Sequence, residues 1–227
     1  MQKLQLANIP VVVVKFTSMD EQQFAMEMIA EIVGTEGESK EYQQFYQEQI
    51  SMVQDRTAKI PDDKRARIYH STQEATRTDT ADTLAADWTK AAGVINVSVN
   101  QELKFIDGDH YAGLEQILLW DPDYILANNP DVVGYIMTNE QWKSLKAVKN
   151  QQVLPLPVGI SRWGHENSLE TPLAAIWTAK TVYPDLFADV DMTDIIQDFY
   201  LTFFDWQLDE ETVQRILTSQ GMREAKG

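Results

Sequence analysis

Three histidines, His70, His110 and His165, and two arginines, Arg77 and Arg162, are the side chains of this chain best suited to holding a ligand, and Tyr111 and Trp163 stand beside them. Guanidinium forks pair with anionic oxygen, aromatic rings cover apolar faces, and imidazole can ligate a metal that keeps an open position. The spacing does not favour catalysis. No His-x-x-x-His or Glu-x-x-His helical pair occurs, so a zinc hydrolase has little support. No G-x-S-x-G elbow, Walker loop or G-x-G-x-x-G fingerprint is present. Cysteine is absent, which excludes thiol catalysis, disulfides and cysteine-based metal sites. The aspartates from Asp189 to Asp194 lack the glycine and terminal glutamate of a calcium loop and suit helix capping. Each candidate also has a plainer role. His70 at a strand end can serve the loop backbone, His110 in Asp107-Gly108-Asp109-His110 can be solvated, and Arg77 can pair with Asp79 or Asp82. Trp163, in Ser-Arg-Trp-Gly, has little local core to join and is the leading ligand contact, followed by Arg162 and His165.

The elements that would position these residues read as alternating strands and helices. Ile9 to Phe16 is an apolar strand, and Ser18 with Glu21 predicts a capping box for a helix ending before Gly34. Thr35 with Glu38 predicts a second box. The helix that follows, from about Glu38 to Lys59, carries Tyr42, Phe45, Tyr46, Met52 and Val53 on one face and would be roughly 33 Å long. Strands are expected at Arg67-Ile68-Tyr69, Ile95-Asn96-Val97, Tyr124-Ile125-Leu126 and Gln152 to Leu156, with helices near Thr80–Ala91, Leu114–Trp120 and from Leu169 to Tyr183. Phe199, Tyr200, Phe203, Phe204 and Trp206 fall at helical spacing and read as core. The fold class is α/β, with a mostly parallel sheet flanked by helices. Open sheets of this kind place their sites at the C-terminal ends of the strands, so the loops of His70 to Asp79, His110–Tyr111 and Arg162 to His165 should converge on one rim.

The segment Leu114-Glu115-Gln116-Ile117-Leu118-Leu119-Trp120-Asp121-Pro122-Asp123-Tyr124-Ile125 is a short helix stopped at Asp-Pro-Asp and fed into a strand. It resembles the periplasmic binding proteins of ABC importers of the iron-siderophore, haem and cobalamin type. The run Trp142 to Asn150, the turn Ala92-Gly93-Val94-Ile95-Asn96-Val97 and the stretch Tyr183-Pro184 to Asp191 extend the resemblance over nearly the whole chain. It implies a two-lobed protein that captures a metal chelate and does no chemistry, with no intrinsic cofactor. Residues 1–37 would be the remnant of an N-terminal lobe otherwise mostly absent, 38–60 a bridging helix, and 61–227 the C-terminal lobe. The implied cargo is a ferric siderophore, then haem or a corrinoid, contacted by His70, Arg77, Tyr111, Arg162, Trp163 and His165. Glu115 would dock on arginines of the membrane permease, as an exposed carboxylate on a rigid helix can; its plainer role is to favour the helix dipole. The location would be extracytoplasmic, with the signal and any lipid anchor lying in a lost segment, since Met1 to Gln5 reads as part of a folded element.

Charge bears on partners mainly by exclusion. Nineteen basic against 35 acidic residues give a net charge of −16, which would repel nucleic acid over most of the surface. No apolar run reaches the length of a membrane span. A metal-ion-binding protein or metal-dependent enzyme using His70 and His165 is the alternative from another class; a shortened chain without independent activity is a third. The absent lobe would bare apolar surface near Val11 to Val14, so a homodimer is expected. Fraying is expected in the first residues and from Gln220 to Gly227.

Overall fold

The computed structural model describes residues 10–222. Helix α1, Met19–Val33, begins at Ser18, whose hydroxyl accepts from the Glu21 amide at 3.1 Å, and ends at Gly34 in the left-handed conformation, φ 81°. The Glu21 carboxylate closes back on the amide and hydroxyl of Thr17, not on Ser18. Helix α2, Glu36–Thr57, has Thr35 as its N-cap, but the threonine side chain accepts no capping bond, so the second expected box does not form. The strand expected from Ile9 starts outside the described residues, and Pro10 to Phe16 runs without strand pairing. The valines Val11, Val12 and Val13 are 40%, 54% and 59% exposed there. An apolar run becomes a strand only when it pairs with a neighbouring edge, and Pro10 to Phe16 pairs with no strand among the described residues. Most of the fraying expected from Gln220 onward also lies outside the described residues.

The centre is a parallel four-stranded sheet. Its strands are β1 (Arg67–Ser71), β3 (Ile95–Asn96), β6 (Tyr124–Ala127) and β7 (Val153–Pro155), in the order β3-β1-β6-β7. A smaller antiparallel sheet joins β2 (Arg77–Thr78) to the hairpin β4 (Lys104–Ile106) and β5 (Asp109–Tyr111), in the order β2-β5-β4. His110, expected in a solvated loop, therefore lies on β5, half-buried, with its ring 5.0 Å from that of Phe105. Period-two alternation assigns the strand residues to two cores. Ile68 and Leu126 point into one, and Tyr69, Ile125, Ala127 and Val153 into the other.

Helices cover both faces. Helix α3 (Leu84–Ala91) starts later than expected because Thr83 is its N-cap, accepting from Ala86 at 3.3 Å. Helices α4 (Leu114–Trp120), α5 (Pro130–Thr138) and the short α6 (Lys146–Lys149) enclose the second core. Helices α7 (Thr171–Val182), α8 (Met192–Phe204) and α9 (Glu210–Leu217) pack with α2 on the first. Tyr42 and Phe45 of α2 each sit 5.5 Å from the ring of Phe203 on α8. At its C-terminal end, Arg56 grips Asp189 through two bonds of 2.6 and 2.9 Å. Trp206 departs from the aromatic core, at 46% exposure, because Asp205 turns left-handed at φ 49° and ends α8 before it.

The Asp-Pro-Asp sequence is a structural clamp. Asp121 is left-handed at φ 41° and its carboxylate accepts from the Lys146 amide at 2.8 Å. Asp123 accepts from the Arg67 amide at 2.8 Å and pairs with the Lys146 ammonium. One motif thus fixes the end of α4, the start of β1 and the start of α6. No helix among the described residues is long and apolar enough to cross a membrane.

Candidate functional site

At the C-terminal ends of the parallel strands lies an open cleft of about 360 Å³. It is built from loops far apart in sequence: His70 and the segment to Asp79 after β1, the hairpin tip Gly108 to His110, Asn128 after β6, and Arg162 with Gly164 to Glu166 beyond β7. Thr83, Leu84 and Ala85 line it as well, so the N-terminal end of α3, with its amide donors and positive dipole end, opens on the same space.

Of the expected contacts, His70, Arg77, Arg162 and His165 share this cleft. His70 is buried, with Nδ1 2.5 Å from Asp79 Oδ2 and Nε2 2.8 Å from Asn128 Oδ1. Both ring nitrogens are therefore engaged, and the ring serves to tie β1 to Asn128. Arg77 pairs with Asp109 of the hairpin, a partner the sequence did not suggest in place of Asp79 or Asp82. Tyr111 does not line the cleft; its hydroxyl donates to Glu74 at 3.3 Å on the outer side of the hairpin.

The largest correction concerns Trp163. Its side chain is 0% exposed and its indole N–H donates to Glu170 Oε1 at 3.2 Å. No core was expected for it, but it belongs to the first core cluster, with members from β1, α2, α3, α7 and α8. Because Trp163 points inward, the neighbouring Arg162 points to the cleft. Gly164 follows with φ +72°, and a Cβ there would meet Trp88 Nε1 at 2.5 Å. Its carbonyl accepts from that same indole at 3.3 Å, so the glycine lets the loop lie flat on α3.

Arg162 is half-buried, and its guanidinium makes no hydrogen bond or ion pair with any described residue. Burial pulls its pKa down from the ordinary arginine value, with the Asp79 charge acting in the opposite direction. His165 is held below the ordinary imidazole value, first by burial and then by the Arg162 charge, against a smaller opposing effect of Glu166. Its Nδ1 accepts from the Asn167 amide at 3.3 Å. Among the described residues no three histidine, aspartate or glutamate side chains are grouped so as to hold a metal ion. His70 and His165, the alternative pair of metal ligands, both line the cleft, but both ring nitrogens of His70 already have protein partners. Asn128 and the start of α3 went unrecognised as cleft residues, while Asp79 was placed in the rim loop without its role as the His70 partner; for Asn128 the available signal was its place just past the apolar strand Tyr124 to Leu126.

A parallel sheet with a polar, cation-bearing cleft at its strand ends is a ligand-binding α/β lobe. The periplasmic binding protein family matches residues 2–158, and the chain belongs to that family. The family is one of binding proteins, not of enzymes. The molybdate-binding protein MolA of Haemophilus influenzae is 28% identical over 181 residues, which are 79% of this chain and 50% of that protein. The chain thus spans about half the length of the curated relative it matches. The molybdate-bound structure of MolA superposes with a TM-score of 0.79 at 26% identity, covering 92% of this chain and 69% of that one. A solute-binding protein from Sulfurospirillum deleyianum superposes with a TM-score of 0.81 at 22% identity, covering 95% and 67%. Helicobacter pylori CeuE, solved with Ni(II) bound, gives 0.72 at 21% identity, covering 88% and 63%. The last two likenesses show the fold alone.

Proposed function

We propose that this chain is the ligand-capturing part of an extracytoplasmic solute-binding protein serving an ABC importer, and that its cargo is a compact anion read through its oxygen atoms. The observation that carries this reading is Arg162, a half-buried guanidinium without a partner among the described residues, at the wall of the cleft. A cation left in that state is stabilised by an anionic ligand that reaches it, with bidentate geometry available. The N-terminal end of α3 and the neighbouring His165 add donors to the same space. The similarity to a molybdate-binding protein supports an oxyanion.

A ferric siderophore with a hydrophilic, anionic oxygen shell fits the same chemistry as the second choice. Haem and corrinoids fit less well, since the two aromatics that would cover their apolar faces lie elsewhere: Trp163 in the core and Tyr111 outside the lining. Glu115 stands exposed in the first turn of α4 and makes no bond to a described side chain, which suits its proposed role as the carboxylate that meets the permease. In the same reading α2 is the spine between lobes. The apolar residues Phe24, Ile32 and Val33 of α1, 62%, 60% and 63% exposed, form the surface for association with a second chain, testable by light scattering.

The test is calorimetric titration of the protein with sodium molybdate, a ferric hydroxamate and nickel chloride, beside an Arg162→Ala variant. Saturable molybdate binding that weakens in the variant supports the oxyanion reading. Binding of the ferric chelate alone transfers the site to the second choice. Binding of nickel alone, unaffected by Arg162→Ala, overturns both.

A further inference from the structure

We propose that Glu170 is a positioning residue for the cleft, and that its buried carboxylate sets the aim of Arg162. The inference rests on the reading above, that Arg162 meets the ligand. Glu170 is 1% exposed, yet it forms no ion pair with another described residue. Its Oε1 accepts from the Ile160 amide at 3.0 Å, from the Trp163 indole at 3.2 Å and from the Tyr200 hydroxyl. Its Oε2 accepts from the Ser161 amide at 3.0 Å, the Ser161 hydroxyl at 3.1 Å and the Ser168 hydroxyl at 3.2 Å. Burying a carboxylate is costly unless its lone pairs are met, and here neutral donors meet them on both oxygens.

Those donors belong to one loop and its supports. Four of them come from residues 160–163, and the two residues flanking Arg162 are both bound: Ser161 by amide and hydroxyl, Trp163 by its ring. With both neighbours bound to the carboxylate and Arg162 itself held in a bridge to Val158, this tight loop leaves Arg162 at the wall of the cleft. An antiparallel bridge between Val158 and Arg162 and a 3.0 Å bond from the Trp163 amide to the Pro157 carbonyl close the loop on itself. The guanidinium makes no hydrogen bond or ion pair with another described residue, so the loop backbone sets the side on which it leaves the chain.

Two further observations belong to the same device. Glu170 occupies the N-cap position of α7, but its side chain caps nothing there and turns to the loop instead. Gly159 lets the chain come in close enough, since a Cβ on it would lie 1.9 Å from Glu170 Oε1 and 2.0 Å from the Tyr200 hydroxyl.

The experiment compares wild type, Glu170→Gln, Arg162→Ala and the double variant, reading molybdate affinity and amide hydrogen exchange. In Glu170→Gln an NH2 group replaces one acceptor oxygen and opposes the donors that faced it. Losing a fixed charge-assisted contact should weaken molybdate binding by about 10- to 100-fold. In the Arg162→Ala background the same change should cause no further loss, because the residue it positions is gone. Exchange should accelerate at Ile160 to Trp163 while the interior of α7 stays protected, whether or not molybdate is the true cargo. Unaltered exchange in that loop overturns the proposal, as does an equal loss of affinity with and without Arg162, which marks a general structural role. Wild-type affinity in Arg162→Ala alone refutes the contact reading and removes the inference with it. If Glu170→Gln does not fold, Ser161→Ala with Ser168→Ala removes two donors from one oxygen and carries the same comparison at smaller amplitude.

Discussion

Truncating Trp163 separates a core residue from a ligand contact. The ring is fully buried in the first core cluster, and its N–H donates to the Glu170 carboxylate at 3.2 Å. Trp163→Ala removes the burial of a large ring and leaves a cavity, a loss of about 3–5 kcal/mol in well-packed interiors. The carboxylate also loses one of its donors, so the upper end of that range is expected. For a chain of 150–250 residues each kcal/mol moves the melting temperature by about 2–4 °C, which gives a drop of roughly 6–20 °C. Trp163→Phe keeps most of the volume and loses the N–H, and a lost bond to a charged group puts its cost at about 1.5–3 kcal/mol. Thermal unfolding followed by circular dichroism, with urea titration for the free energies, measures both. The order wild type, Phe, Ala is the expected result. A Trp163→Ala protein that melts within about 2 °C of wild type would refute the packing argument and return the side chain to the cleft.

Three more outcomes follow from the same geometry. Gly159→Ala should destabilise the loop by forcing the chain away from Glu170 and Tyr200, breaking the bonds of the Ile160 and Ser161 amides at about 1.5–3 kcal/mol each; a melting temperature equal to wild type would contradict it. His165 is neutral near pH 7, since its value is held below the ordinary 6.5, and an anion bound beside it favours the charged ring. Molybdate affinity should therefore rise as pH falls through and below that ordinary value. The unliganded protein should move the other way and lose stability over the same window, because the unfolded chain takes up the proton more readily. Affinity and stability falling together would exclude this role for His165. Glu115→Arg reverses a charge on the exposed face of α4 and should abolish molybdate uptake by cells carrying the full importer; unchanged uptake would remove the docking assignment.

Local sequence determined what depends on neighbours along the chain. The Ser18 cap, the stop at Asp121-Pro122 and the helices around Tyr42–Val53 and Phe199–Phe203 follow from hydrogen-bonding types and apolar periodicity, and all are found. Alternating strand and helix signals were enough to place His70, Arg77, Arg162 and His165 near one rim, because strand ends in an open sheet share a side. The antiparallel hairpin went unread although Asp107-Gly108, both at positive φ, is a two-residue turn signal, because the strands Lys104–Ile106 and Asp109–Tyr111 beside it are short and exposed or half-buried. Thr35 shows the limit of a motif: the residues of a capping box are present, and the backbone at ψ 41° keeps the hydroxyl from the amide.

The tertiary structure decided which way the side chains of the Arg162 loop point. Arg162 and Trp163 are adjacent, and the sequence ranked the larger, more apolar ring as the ligand contact because nothing nearby could bury it. The core that takes it in is assembled from several strands and helices, and the carboxylate that binds both neighbours of Arg162 is Glu170. The sequence alone fixes the candidates and the end of the sheet on which they gather. In the structure Trp163 is buried and Arg162 lines the cleft; Glu170, which accepts from both neighbours of Arg162, also accepts from Tyr200, a partner that only folding brings there.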